Sequence, residues 1–218
     1  MPIVLDSAPL WYFQTNTYVV APERGGPAVV IDAPPDGRGI DDLLARHDLT
    51  PVAVMITHGH VDHAGGVDHL ASPTVRAFLH PSDVDMARHP GDQLRTLLGV
   101  SLADPTESVL TTEFVDLVAD AIVEVAGLDL RVVFTPGHTP GHCCFLLATE
   151  GVLFSGDHLF AGSIGRTDLP GGSYTQLMDS MARQILPLPV DTVVHPGHGP
   201  STTLAAERRH NPFLQELL

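Results

Sequence analysis

Thr57-His58-Gly59-His60-Val61-Asp62-His63 places four potential metal ligands within six consecutive positions, 58–63, directly after the apolar run 52–56. A short, continuous apolar run reads as a strand buried on both faces. Loops at the ends of such strands carry function because a rigid scaffold holds them. His58 and His60 are two positions apart, so in an extended segment they face the same way. Asp62 and His63 fall where the pattern turns helical and can point elsewhere. One segment can therefore serve two neighbouring ion positions.

Three other stretches repeat the form of strand, glycine, then ligand. Thr135-Pro136-Gly137-His138 follows the run 130–134, Ser155-Gly156-Asp157 follows 152–154, and His195-Pro196-Gly197-His198-Gly199 follows 190–194. Glycine permits close approach and unusual backbone angles at a crowded site. Imidazole and carboxylate donors suit zinc, iron or manganese, and the lack of thiolate ligands argues against a structural zinc cluster. The expected metal set is His58, His60, Asp62, His63, His138, Asp157 and His198. Of the thirteen histidines, His47, His69, His80, His89 and His210 read as ordinary surface or hydrogen-bonded residues. His142, His158 and His195 lie near the ligands without an assignable role.

The 218 residues fit one domain, 1–218, with a short helical segment from about 203. Apolar residues make up 44%, enough for a substantial core, and the formal net charge of −15 with no basic run disfavours nucleic acid and anionic membranes as partners. The start shows no basic-then-apolar leader, no run is long enough to span a bilayer, and two adjacent cysteines make no disulfide framework. A cytoplasmic location is expected. Cys143 and Cys144 sit in an apolar run and read as buried strand residues.

Strands are expected at 17–21, 28–31, 52–56, 74–79, 121–125, 130–134, 143–148, 152–154 and 190–194. Helices are expected at 40–47, from Asp62 through Leu70, at 81–88 and 174–186, and at 204–218 with a break at Pro212. Residues 91–105 read as loop. Strands followed by helices, twice over, predict two sheets with outer helices, an α/β class.

At the ligand residues the sequence resembles the metallo-β-lactamase superfamily over essentially its whole length. The resemblance implies a four-layer αββα sandwich with two divalent metal ions, zinc foremost and iron or manganese as alternatives, in a groove at the sheet ends. It implies that His58, His60 and His138 hold one ion, that Asp62, His63 and His198 hold the other, and that Asp157 bridges them. Asp32 matches an early aspartate that orients the site from behind the ligands. Gly156-Asp157-His158-Leu159-Phe160, Gly165-Arg166-Thr167-Asp168-Leu169-Pro170 and Pro196-Gly197-His198-Gly199-Pro200 look like the compact bacterial form of the glyoxalase II-like (hydroxyacylglutathione hydrolase-like) thioesterases. Arg166 matches a basic residue that contacts the carboxylate of the thiol carrier, although a structural Arg166–Asp168 pair is an equal alternative. Two departures bear on glutathione as the carrier. Asp168 stands where longer glyoxalase II enzymes have tyrosine, and the chain stops twenty residues after His198.

The activity so implied is hydrolysis of a small 2-hydroxyacyl thioester, such as a lactoyl thiol, with Asp62 and Asp157 as catalytic residues and Asp62 orienting the attacking water. The Gly-Arg-Thr-Asp stretch also resembles persulfide dioxygenases, in which His58, His138 and Asp157 would hold a single iron. Hydrolysis of a lactone or β-lactam is a further alternative. Ser155 lacks a Gly-x-Ser-x-Gly elbow, which argues against a serine nucleophile.

Overall fold

The computed structural model describes residues 3–98 and 109–217. Its first sheet contains β1 (Val4–Leu10), β2 (Thr15–Ala21), β3 (Pro27–Ile31), β4 (Thr50–Met55), β5 (Arg76–Leu79) and β6 (Phe114–Asp116), in that spatial order. Strands β3 to β6 are mutually parallel, so their C-terminal ends share one edge. The second sheet contains β7 (Ile122–Val125), β8 (Leu128–Phe134), β9 (Cys143–Leu147) and β10 (Val152–Gly156). After a small hairpin of β11 (Leu159–Phe160) and β12 (Ser163–Ile164) it continues with β13 (Val193–Pro196) and β14 (Thr202–Thr203). Its order is β14-β13-β10-β9-β8-β7.

Side chains alternate across a strand, and that alternation builds three separate core layers. Val19, Val30 and Val54 face one side of the first sheet and pack with Ile40, Leu43 and Leu44 of α1 (Gly37–Ala45). Val20, Val29, Ile31 and Met55 face the other side, where they meet Val132, Phe145 and Phe154 of the second sheet. Val133, Leu146 and Leu153 point outward from the second sheet. They pack under α6 (Tyr174–Ser180), α7 (Leu204–His210) and α8 (Pro212–Gln215) through Leu177, Leu204 and Leu214. Helix, sheet, sheet, helix is the four-layer αββα sandwich. Cys143 faces the inter-sheet core and Cys144 the outer one; both are free and buried.

Several elements differ from the expectation. The helix expected from Asp62 through Leu70 is two short ones, α2 (Val61–Ala64) and α3 (Val67–Leu70). The break is at Gly65–Gly66, where a Cβ on Gly66 would stand 2.0 Å from the Pro34 carbonyl oxygen. The stretch 81–88 is a 3-10 turn leading into α4 (Val84–Arg88). Part of the expected loop 91–105 is helical, as α5 (Pro90–Leu98); residues 99–108 lie outside the described residues. Pro90 suits a helix's first turn, and Leu94 is buried. The last expected strand is displaced from 190–194 to β13, because residues 189–192 form a turn, with Thr192 N–H donating to Pro189 O, and pairing with β10 begins at Val193. Strands β1 and β6, at the edges of the first sheet, escaped the sequence reading. Among the described residues no helix is long and apolar enough to cross a membrane.

Candidate metal centre

The residues expected to bind metal converge where the two sheets present the same edge. Strand β4 runs directly into 57–63. In the second sheet β9 is antiparallel to β8 and β10, and β13 is parallel to β10. Strands β8, β10 and β13 therefore point one way and deliver His138, Asp157 and His198 to one side. Crevices at the carboxyl ends of strands are where α/β folds bind ligands.

The ligand atoms of His58, His60 and His138 lie within 4.8 Å of one another, as do those of Asp62, His63 and His198. Asp157 stands between the two groups. Its carboxylate is 3.4 Å from His63 Nε2, 3.7 Å from His138 Nε2 and 3.5 Å from His198 Nε2. His58, His60, His63 and His138 are buried, whereas the side chain of His198 is 29% exposed and marks the open side of the centre.

Outer hydrogen bonds settle which ring nitrogens carry lone pairs. Thr57 Oγ1 donates to the Asp32 carboxylate, so it accepts from His58 Nδ1 at 3.0 Å. His138 Nδ1 donates to the Arg166 carbonyl at 2.7 Å, and His63 Nδ1 donates to Asp32 Oδ2 at 2.8 Å. When these rings are neutral, the Nε2 atoms of all three are thus bare and aimed inward. His58 Nε2 and His138 Nε2 are only 3.1 Å apart, and two lone pairs at that distance repel. A cation resolves the conflict. Asp157 Oδ1 is also buried without a protein hydrogen-bond partner. Neutral nitrogens and carboxylate oxygens are a donor set suited to zinc, iron or manganese, so the residues fit a divalent ion pair.

Electrostatics favour the ligating forms of His58, His60, Asp62 and Asp157, while His63 keeps its proton until an ion replaces it. Burial, reinforced by the neighbouring histidines, pushes His58 well below its usual pKa. Burial and His138 push His60 down to about 3. Burial alone would raise Asp62 and Asp157, but His63 and His198 outweigh it and hold both carboxyls well below the usual range. Burial also works against a charged His63, yet Asp62, Asp157 and Asp32 together lift it.

Asp32, expected behind the ligands, is there, at a left-handed φ of 59° directly after β3. Besides His63 it accepts the Thr57 N–H at 2.7 Å. Other supports went unseen in the sequence. Buried Asp83, beyond the end of β5, accepts Gly59 N–H at 2.9 Å, Thr139 Oγ1–H at 2.6 Å and Gly141 N–H at 2.6 Å. One carboxylate thereby ties the loop of His58 and His60 to the loop of His138. Gln93 in α5 accepts Val61 N–H and donates to Gly59 O, both at 2.9 Å. From β2, Asn16 and Tyr18 donate to Pro196 O at 3.0 and 2.7 Å and steady the loop of His198, while Thr15 donates to Asp62 at 2.9 Å. Gly197 is required by contact, because a Cβ there would lie 2.3 Å from Asp157 Oδ1.

His142 gains a role: its Nε2 accepts the Asp157 N–H at 3.1 Å while Nδ1 faces Thr135 Oγ1 at 2.8 Å. His195 stacks on Phe154 and bonds Ser201. His158 is buried with no partner at either ring nitrogen among the described residues, and the structure gives it no role. The remaining histidines are engaged elsewhere or exposed: His47 with Asp6, His69 with Asp41, His80 stacked on Phe134, His89 with the Asp85 carbonyl, and His210 exposed at the end of α7.

A groove of about 510 Å³ opens over the centre, walled by Phe13, Phe160, Ile164 and Leu169, with Arg166 at its edge. Arg166 is exposed, and its Nε and Nη2 donate to the two Asp168 oxygens at 2.8 and 2.7 Å. The structural Arg166–Asp168 pair therefore forms, and the same guanidinium lines the groove.

Residues 10–198 match the family described as "Metallo-beta-lactamase superfamily". The chain is 31% identical to the hydroxyacylglutathione hydrolase GloC of Haemophilus influenzae over 219 residues, covering 96% of this chain and 97% of that one. Among solved structures it is similar to the BLEG-1 B3 metallo-beta-lactamase, with TM-score 0.82, 38% identity, and 97% and 99% of the two chains covered. It is also similar to TTHA1623 in a di-iron-bound form, with TM-score 0.81, 35% identity, and 96% and 100% covered.

Proposed function

The chain belongs to the metallo-β-lactamase superfamily, and on that footing we propose that it hydrolyses a 2-hydroxyacyl thioester of a small thiol to the hydroxy acid and the free thiol. The observation that carries this reading is the pair of three-residue ligand groups with Asp157 between them, at the floor of an open groove. The ions would be held by His58, His60 and His138 and by Asp62, His63 and His198, with Asp157 shared. Bound divalent ions supply Lewis acidity for a carbonyl oxygen and lower the pKa of water from 15.7 to about 7.

The chain's own residues supply the rest. Asp62, kept ionised and anchored by Thr15, accepts a hydrogen bond from the attacking water and fixes its direction. Phe13, Phe160 and Leu169 keep bulk water from the groove walls and leave an opening for an elongated substrate. Arg166 offers its charge to an acidic group on the thiol carrier, in competition with Asp168. A thiol with a pKa near ~8.5 leaves as its anion without a protein acid. No cysteine competes as nucleophile, since burial pushes Cys144 up to about 12 and Cys143 higher still. The Ser155 hydroxyl is committed to the Leu159 carbonyl. The similarity to GloC supports a thioester, and zinc, manganese or iron all suit the donors.

The test is thiol release from S-lactoylglutathione by protein loaded in turn with zinc, manganese and iron. Rapid release that disappears in Asp157→Ala supports the reading; no release with any of the three rejects glutathione thioesters. Likeness to a protein named a B3 metallo-beta-lactamase favours β-lactam hydrolysis as a second reading. Opening of a chromogenic cephalosporin without thioester cleavage would select it. Oxygen uptake with a thiol persulfide at one iron per chain would replace both.

A further inference from the structure

A second, smaller cavity of about 160 Å³ lies beside the metal groove, and the two share His60 and Leu169 as common wall. Its other walls are Met86 of α4, Gln93 and Thr96 of α5, and Pro170. Its polar side chains are already engaged. Gln93 donates to Gly59 O and Met86 O at 2.9 and 2.8 Å and accepts Val61 N–H. Thr96 Oγ1 donates to Asp92 O at 2.9 Å, and the Asp92 carboxylate at the margin is paired with Arg95. What remains to meet a ligand among the described residues is the Met86 thioether and the Leu169 and Pro170 hydrocarbon, next to the His60 imidazole.

A thioester carbonyl held at the ions extends two arms, one acyl and one thiol. The 510 Å³ groove, with Arg166 at its edge, has the volume and polarity for the thiol carrier. The side cavity is too small and too apolar for it. At roughly 30 Å³ for each water-sized group, it takes about five such groups, the size of a short alkyl chain. We propose that this cavity is the acyl subsite, and that the preferred acyl group carries an aliphatic chain longer than the methyl of lactate. Met86, Leu169 and Pro170 select it by removing its methylenes from water. The inference rests on the thioesterase reading above.

The test is a series of S-acyl thioesters of one neutral carrier, N-acetylcysteamine, from acetyl through hexanoyl and octanoyl, with the lactoyl ester alongside. Burying one methylene stabilises by ~0.8 kcal/mol, about fourfold in kcat/KM, and this half-open cavity should deliver about two- to fourfold per carbon until it fills. Met86→Phe should stop the rise at shorter chains and Met86→Ala should extend it to longer ones, with thermal melting confirming that both are folded. A flat or falling profile in the unaltered protein, or a shift in the same direction for both variants, would overturn the subsite while lactoyl cleavage left the thioesterase reading standing. Thiol release from none of the esters, with zinc, manganese or iron, would remove that reading and this inference together.

Discussion

The first sheet delivers four of the seven candidate metal ligands from one six-residue loop after β4, whereas the second delivers three from the ends of β8, β10 and β13, which are 60 residues apart at their extremes, from His138 to His198. The short loop is dense enough to be recognised by itself, yet its geometry depends on outside clamps: Asp32, Asp83 and Gln93 all bond its backbone or rings. The second set is sparse in sequence: strand direction brings it together, and Asp83, Asn16, Tyr18 and His142 then hold its loops. A local cluster needs orientation, while dispersed ligands need a sheet.

That contrast can be broken at its centre. Asp157 reaches both ligand groups, facing His138 of one and His63 and His198 of the other, so Asp157→Ala should reduce metal content and lower turnover by more than the ~100-fold that loss of an outer partner costs. Metal analysis and steady-state kinetics check it; two tightly held ions in the variant would contradict the assignment. Asp83→Asn removes an acceptor shared by both loops. It should weaken the ion at His58, His60 and His138 by about 10–100-fold in chelator competition. It should also cost about 1–3 kcal/mol of stability for each N–H or O–H left unpaired.

Asp32→Asn sharpens the comparison within the loop. It should loosen the His63 side of the centre, with an affinity loss of about 10-fold, because an amide matches the His63 N–H less well than a carboxylate. Equal loss at both ions would show that Asp32 acts on the whole loop through Thr57. The smallest effect is expected at the groove edge. Arg166→Ala should change stability by no more than about 0.5 kcal/mol, since its ion pair is exposed. A severalfold rise in KM confined to carboxylate-bearing thioesters would show that the guanidinium reads the carrier.

The legible parts of the molecule were those in which chemistry is local. Val54 and Met55 lead straight into a loop crowded with donors, and Gly197 stands beside His198 because no side chain fits against Asp157. The hairpin of β9 and β10 was plain because apolar runs flank a turn. Less legible were β1, an edge strand, and α5, whose Gly91 and polar surface obscure its helical period. Asp83 was invisible as a positioning residue because a lone aspartate in a short helical stretch looks like any solvated surface group. Only its burial against Gly59 and Gly141 sets it apart.

By itself the sequence determined the donor types, their attachment to strand ends and the two-sheet architecture, since residue chemistry and hydrophobic period are properties of short segments. The tertiary structure decided which nitrogens face inward, which backbone groups Asp83 and Gln93 hold, and that the Met86–Leu169–Pro170 cavity lies beside His60. Those depend on contacts between residues as far apart as Asp83 and Gly141, or Met86 and Pro170, which only the packing of the two halves brings within bonding distance or around one cavity.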